Sequence, residues 1–287
     1  VISTEPVESP WAARLVEGVC FLEIGDDLAS LNAAMGEPEL VLARLLIQLA
    51  PARVHIINSR LAWRTIEKFG RAIGKEARVY ASLYCDERGR DGTAQGLAQD
   101  YLATASNWLE AVITDNTVSP EEWVKALGVE RRLFHVVHFP RPEGRPASGP
   151  TYRSAPRLLW AGRLERQKRP ELLAEIVNAT PEFEWDIHGP RPSTNRHDPS
   201  TLLEKLPNAR LHGPYEDFNQ IVQAGHLAFV YTTAWDGLPN VLLEAANAGL
   251  AIVAPDIGGI SDLLPRALLL PADSNADSFA NAIRTLS

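Results

Sequence analysis

The residues best equipped for chemistry lie in one stretch, Trp235-Asp236-Gly237-Leu238-Pro239-Asn240-Val241-Leu242-Leu243-Glu244. A strand candidate ends near Tyr231, a loop follows, and the sequence predicts a helix with Pro239 at its first position. The amides of Leu238, Asn240 and Val241 would then be among the unpaired donors of a helix N-terminus. With the helix dipole they make a site for an anion. Gly237 lets a ligand approach the backbone closely. Glu244 lies one turn beyond Asn240 on the same face, and helical side chains lean toward the N-terminus, so its carboxylate points back at the same ligand. A carboxylate there can accept two hydrogen bonds from a cis-diol such as a ribose, and Asp236 in the loop could meet a sugar hydroxyl. Taken alone, the two acids could equally complement the helix dipole and cap the helix, because acids are common at helix starts.

Two further segments bear on that choice. After a strand candidate over 157–161 comes Gly162-Arg163-Leu164-Glu165-Arg166-Gln167-Lys168. Arg163 offers a planar fork suited to phosphate oxygens, and Lys168 adds a movable point charge. Two cations at a strand's carboxyl end could clamp a diphosphate, although an isolated Arg/Lys pair reads as well as a solvated basic loop. The run 251–263 is another strand, a Gly258-Gly259 turn and a helix start that can present backbone amides.

In this order and spacing the three segments resemble glycosyltransferase family 4 of the GT-B fold, whose signature is a Gly-Arg-Leu…Lys loop, then Glu-Gly-x-Pro-Asn-Val-x-Leu-Glu-Ala, then Val-x-Ala…Gly-Gly. The resemblance covers about residues 157–264. A weaker likeness extends through Val112-Ile-Thr-Asp-Asn-Thr117 and Leu133-Phe-His-Val-Val-His138. It implies that Gly162, Arg163 and Lys168 hold the donor diphosphate and that the two cations stabilise it as leaving group. Glu244 would bind the ribose hydroxyls. The backbone from Gly237 through Leu238, Pro239 and Asn240 to Val241 would contact phosphate and sugar. His188-Gly189 and Gly213-Pro214-Tyr215 would border the nucleobase. Asp236 matches the first acid of the family's paired-acid motif, where Glu is usual; its side chain is a methylene shorter, which bears on turnover more than on binding.

The activity implied is transfer of a sugar, with retention of anomeric configuration, from a UDP- or GDP-sugar to a glycan or lipid-linked acceptor. A nucleoside diphosphate is already a good leaving group, so fixed cations and helix dipoles can supply most of the catalysis. No Asp-x-Asp and no His/Cys ligand spacing is present, so neither a metal nor any other cofactor is expected beside the sugar nucleotide as cosubstrate. Two other readings stand beside this one. A non-catalytic or weakly active nucleotide-sugar-binding module of a larger multidomain protein would fit Asp236. A nucleotide-sugar epimerase of the same fold would lack the Gly-Arg-Leu…Lys and paired-acid combination.

These residues need strands and helices in alternation to hold them, and the pattern supplies both. Strand candidates occupy 19–24, 54–58, 78–84, 111–114 and 133–138, then 157–161, 184–188, 209–212, 227–231, 251–255 and 267–270. Helix candidates lie near 38–49, 61–73, 95–103 and 120–127, then 170–179, 199–206, 217–224, 239–248, 260–264 and 276–286. The helix at 120 would take Ser119 as N-cap and Pro120 at its first position. The stretch 140–150, dense in Pro and Gly, reads as a linker.

The expected fold class is α/β, two doubly wound Rossmann-like domains facing across a cleft, with parallel sheets covered on both faces. An acceptor-side domain would occupy 1–145, lacking its N-terminal portion, and a donor-binding domain 151–287. Ser59, Tyr84 and Asp86, with Cys85 beside them, end strands of the first domain and are acceptor-side candidates. Ordinary strand-end polarity explains them equally well.

Composition narrows the class further. The 287 residues carry a net charge of −8, which argues against a general nucleic-acid or anionic-membrane binder. Two distant cysteines, Cys20 and Cys85, make a disulfide framework or structural zinc site unexpected and point to a reducing cytosol. No run is long and apolar enough to span a bilayer. Peripheral association with the inner face of a membrane would come through a lipid-linked acceptor rather than through an amphipathic basic helix.

Overall fold

The computed structural model describes residues 1–34, 36–140, 156–191, 199–222 and 226–286. The chain divides into two compact units, one of Val1–Thr114 with Pro120–Val137, the other of Asp115–Ser119 with His138–Ser287. The linker expected over 140–150 lies, beyond Pro140, outside the described residues.

In the first unit β1 (Ile2–Ser3) and β2 (Leu22–Glu23) pair as a small parallel sheet of their own. A second sheet has the order β3-β4-β7-β8, all parallel, from β3 (Arg53–Ile57), β4 (Arg78–Ser82), β7 (Ala111–Thr114) and β8 (Phe134–Val136). Between β4 and β7 a short hairpin of β5 (Glu87–Arg88) and β6 (Ala94–Gln95) intervenes. The helices are α1 (Gly25–Ala33), α2 (Pro38–Leu49), α3 (Arg60–Ile73), α4 (Ala103–Ala105) and α5 (Val118–Leu127). Trp63, Ile66, Val79, Val112, Trp123 and Phe134 fill the core between them.

The second unit holds one five-stranded parallel sheet in the order β11-β10-β9-β12-β13. Its strands are β9 (Arg157–Ala161), β10 (Glu184–His188), β11 (Ala209–Gly213), β12 (Ala228–Val230) and β13 (Ala251–Val253). The central strand reads Arg-Leu-Leu-Trp-Ala because both of its faces are covered. Leu158 and Trp160 pack with Leu173, Ile176 and Trp185 on one side, and Leu159 and Ala161 with Phe229, Tyr231 and Leu242 on the other. The helices are α6 (Pro170–Ala179), α7 (Ser200–Leu203), α8 (Phe218–Val222), α9 (Asn240–Asn247), α10 (Ile260–Leu263) and α11 (Ala276–Arg284). In this order the chain reverses direction between β9 and β12, which is the switch point where doubly wound sheets open a crevice.

Several expected elements differ. The strand at 267–270 is a 3₁₀ turn, Arg266–Leu268, followed by a single bridge from Leu270 to Pro255; Pro265 and Pro271 flank it and interrupt a ladder. The helix expected from Pro120 begins at Val118, and the cap is Asn116, whose Oδ1 accepts from the amides of Val118 and Ser119. The helix at 95–103 is a π-helical turn, Ala98–Leu102, running into α4. The helix near 199–206 stops at Leu203, and the one near 217–224 is described only over Phe218–Val222. Among the described residues no helix is long and apolar enough to cross a membrane.

Candidate functional site

The site is built where β9 and β12 deliver their carboxyl ends side by side. The loop after β9 and the loop after β12 are joined by hydrogen bonds. The Ala234 amide donates to the Gln167 carbonyl at 2.8 Å, Gln167 Nε2 to the Trp235 carbonyl at 2.8 Å, and Thr232 Oγ1 to the Lys168 carbonyl at 2.5 Å. Arg166 lies over the Trp235 ring, 4.7 Å from its centre. So held, Lys168 places its Nζ 2.5 Å from both the Tyr231 hydroxyl and Asp236 Oδ2. Tyr231 in turn donates to the same Oδ2 at 2.5 Å.

Arg163 stands apart from this cluster. Its guanidinium is more than half exposed, ion-paired to Glu165 at 3.2 Å and bonded to Gln167 Oε1 at 3.3 Å. In an exposed setting such a pair holds weakly, so the fork remains exchangeable.

The helix start differs from expectation in two respects. Pro239 is the N-cap of α9, not its first residue, because its ψ of 122° is extended. Its carbonyl accepts from the Leu242 and Leu243 amides at 3.0 and 3.4 Å. The Leu238 amide, expected to be free, donates to Asp115 Oδ2 at 3.1 Å. The amides of Asn240 and Val241 carry no hydrogen bond among the described residues and remain the open donors of this helix end.

Asp115 and its neighbours form a hook within the second unit, on the loop after β12 and on α10. Asn116 Nδ2 donates to Asp115 Oδ1 at 2.7 Å, and the Thr117 amide and hydroxyl donate to Asp262 at 2.6 and 2.7 Å. Burial pushes the Asp115 carboxyl above its ordinary value, against the bonds that lower it. The Gly258-Gly259 turn closes on the same loop, with the Gly259 amide donating to the Gly237 carbonyl at 2.9 Å.

On the β10–β11 side, the Gly162 amide donates to the His188 carbonyl at 3.0 Å and the Gly189 amide to the Gly213 carbonyl at 2.7 Å. His188 stacks on His212 with ring centres 4.5 Å apart, and Tyr215 meets His188 edge-on. Burial, then the neighbouring His212, pushes the His188 imidazole down to about 4, so it is neutral near pH 7. Glu244 lies within electrostatic reach of Tyr215. Burial and then Glu244 push that phenol up to about 12, while burial and then Asp217 raise Glu244 itself. The Glu244 carboxylate makes no hydrogen bond or ion pair among the described residues. Beneath the stacked pair, buried Asp186 accepts from His212 and His226 at 2.6 and 2.9 Å and pairs with Arg157. Burial opposes its ionisation, but these donors hold the carboxyl well below the usual range.

The structure thus brings Lys168, Asp236 and Gly237 together at the switch point, and His188, Tyr215 and Glu244 into a neighbouring group. The acceptor-side candidates belong to the first unit. Ser59 caps α3, accepting from the Ala62 amide at 3.0 Å, and bonds Thr4. Tyr84 is half-buried. Asp86 is buried, accepts from Gln99 at 2.7 Å, and has its carboxyl raised by burial. Tyr231 and Asp115 are the site residues that sequence reasoning missed; their signal was a hydroxyl and a carboxylate standing just after the strand runs that carry them.

The α/β fold with parallel sheets is that of GT-B glycosyltransferases. The lipopolysaccharide outer core galactosyltransferase WaaB in its apo form superposes with a TM-score of 0.68 at 17% identity, over 98% of this chain and 78% of that one. Anabaena Alr3699/HepE in complex with UDP and glucose gives 0.69 at 14% identity, over 93% and 76%. The O-antigen biosynthesis glycosyltransferase WbnH of Escherichia coli is 26% identical over 121 residues, 42% of this chain. The match spans about a third of that relative's length, 35%. Residues 155–287 match the family described as Glycosyl transferases group 1.

Proposed function

We propose that the protein is a retaining glycosyltransferase that moves a hexose-type sugar from a UDP- or GDP-sugar to a glycan or lipid-linked acceptor without a metal ion. The observation that carries this reading is the meeting of Lys168 and Asp236 at the β9/β12 switch point, beside the free amides of Asn240 and Val241. Lys168 and Arg163 receive the diphosphate and stabilise it as it leaves. Glu244, unpartnered and half-buried, accepts the two ribose hydroxyls, and His188 and Tyr215 border the base.

Residues 151–287 serve the donor in this reading, and residues 1–145 the acceptor through Ser59, Tyr84 and Asp86. Work in a reducing cytosol fits Cys20 and Cys85, neither of which is in a disulfide. HepE's complex with UDP and glucose supports a UDP-sugar. WaaB's outer-core galactosyl transfer and WbnH's role in O-antigen biosynthesis support a polysaccharide acceptor, and any membrane attachment would come with a lipid-linked form of it.

The test is titration calorimetry with a panel of UDP- and GDP-sugars, followed by nucleotide release in the presence of glycan acceptors. Arg163→Ala and Glu244→Ala should each weaken donor binding about tenfold or more, the loss of hydrogen bonds to a charged partner. Normal affinity in both variants removes the site assignment. Tight binding without transfer to any acceptor would favour a donor-binding module instead.

A further inference from the structure

The donor side of the second unit contains a hydroxyl that the reaction itself does not require. Tyr231 ends the chain's path through β12 and is buried, with its phenol oxygen against both charges of the Lys168–Asp236 pair. Three donors converge on one oxygen of Asp236. Lys168 Nζ and the Tyr231 hydroxyl stand at 2.5 Å from Oδ2, and Thr233 Oγ1 at 3.4 Å. The other oxygen, Oδ1, takes no hydrogen bond among the described residues. A carboxylate pinned through one oxygen keeps its second oxygen in a fixed direction, open to a ligand donor.

The arrangement sets up a conflict. Lys168 must turn to the diphosphate when the donor binds, and it then leaves Asp236. Without a second strong donor, a partly buried carboxylate would lose its charge-assisted partner and its position at the moment the sugar arrives. Tyr231 supplies that second donor from a strand end that does not move with the Lys168 side chain.

We propose that Tyr231 is a positioning residue that keeps Asp236 in place for a hydroxyl of the donor sugar while Lys168 is handed to the diphosphate. This rests on the donor-site reading above. It makes Asp236 a sugar contact whose reach is set by Tyr231, and it assigns Lys168 and Tyr231 to different parts of the same ligand.

The experiment compares wild type with Tyr231→Phe, a change that removes only the hydroxyl. Each is titrated with UDP and GDP alone and with UDP-glucose, UDP-galactose, UDP-N-acetylglucosamine and GDP-mannose, and melting is followed in parallel. In the wild type at least one sugar conjugate binds more tightly than its diphosphate. In Tyr231→Phe the diphosphate affinity changes less than about threefold, while the extra affinity due to the sugar falls about tenfold. Thr233→Val, which removes only the 3.4 Å contact, should give a far smaller loss.

A Tyr231→Phe variant that keeps the full sugar increment overturns the proposal, as does one that loses diphosphate and conjugate equally. A wild type that gains nothing from the sugar overturns it as well, because Asp236 would then have no contact to make. Failure of the wild type to bind any nucleotide would overturn the underlying donor-site reading; binding of the diphosphates with an unchanged increment in the variant would overturn only the role of Tyr231.

Discussion

Replacing Gly258 by alanine tests whether the loops after β12 and β13 are held as closely as the candidate site requires. Gly258 has a φ of +55°, and a Cβ there would stand 1.9 Å from the Asp236 carbonyl oxygen. An ordinary carbon–oxygen approach is about 3.3 Å, so one of the two loops must retreat by roughly 1.4 Å. Three effects combine. The left-handed conformation costs a residue with a Cβ roughly 1–2 kcal/mol. Separating the loops weakens the Gly259–Gly237 hydrogen bond, about 1 kcal/mol. Stiffening of the unfolded chain returns roughly 0.4–1 kcal/mol.

The net loss is about 2 kcal/mol before any residual contact strain, which lowers the melting temperature of a unit of this size by about 4–8 °C. Because the retreating backbone carries Asp236, nucleotide-sugar affinity should fall with it. Gly249→Ala is the matched control. Gly249 also has a positive φ, +77°, but a Cβ there meets nothing within 4 Å, so only the conformational cost applies. Differential scanning calorimetry and calorimetric titration of both variants decide the matter. If Gly258→Ala melts and binds like Gly249→Ala, the close approach of the two loops contributes nothing and the reasoning is refuted.

Two acid–base predictions follow from the β10–β11 side. Folding lowers the pKa of Asp186, so its contribution is complete above the unfolded value of about 3.9 and is lost as pH falls through the folded value. Asp186→Asn should therefore cost about 3–5 kcal/mol at pH 7, with the gap to wild type narrowing below about pH 4; equal stability at pH 7 would contradict the buried ion cluster. His188 is held neutral by burial, so its imidazole should titrate near 4 rather than near the unperturbed value of about 6.5 in a ring-nitrogen NMR titration. Acidification between those two values should lower stability, since the unfolded chain takes up the proton first. A midpoint near 6.5 would show the stacked pair to be solvated.

The parts of the molecule that could be read from sequence are those set by local pattern. The apolar runs of β9 and β12 were legible because parallel strands covered on both faces carry hydrophobic side chains without interruption. Arg163, Lys168 and Asp236 stood out as candidates because they follow strand ends, where a doubly wound sheet puts its ligands, and Glu244 because it lies one turn into the helix that follows. The rest depends on partners distant in the chain. The Leu238 amide reads as a free helix-end donor until Asp115, 123 residues earlier, is seen to accept it. The run 267–270 reads as a strand from its leucines, yet its flanking prolines leave it one bridge. Tyr231 reads as one more aromatic residue of a core strand, since only the fold sets its hydroxyl beside Lys168.

The hook at Asp115–Ser119 bears on how this protein could be divided. Those five residues are enclosed in sequence by segments of the first unit, yet they count with the second. They give Leu238 an acceptor and Asp262 two donors. A gene fragment that starts after the proline-rich stretch would encode the whole five-stranded sheet and still lack them. The second unit is therefore compact without being contiguous, and recombination that exchanges such units at the linker would bring together a sheet and a hook that had never been selected to fit each other.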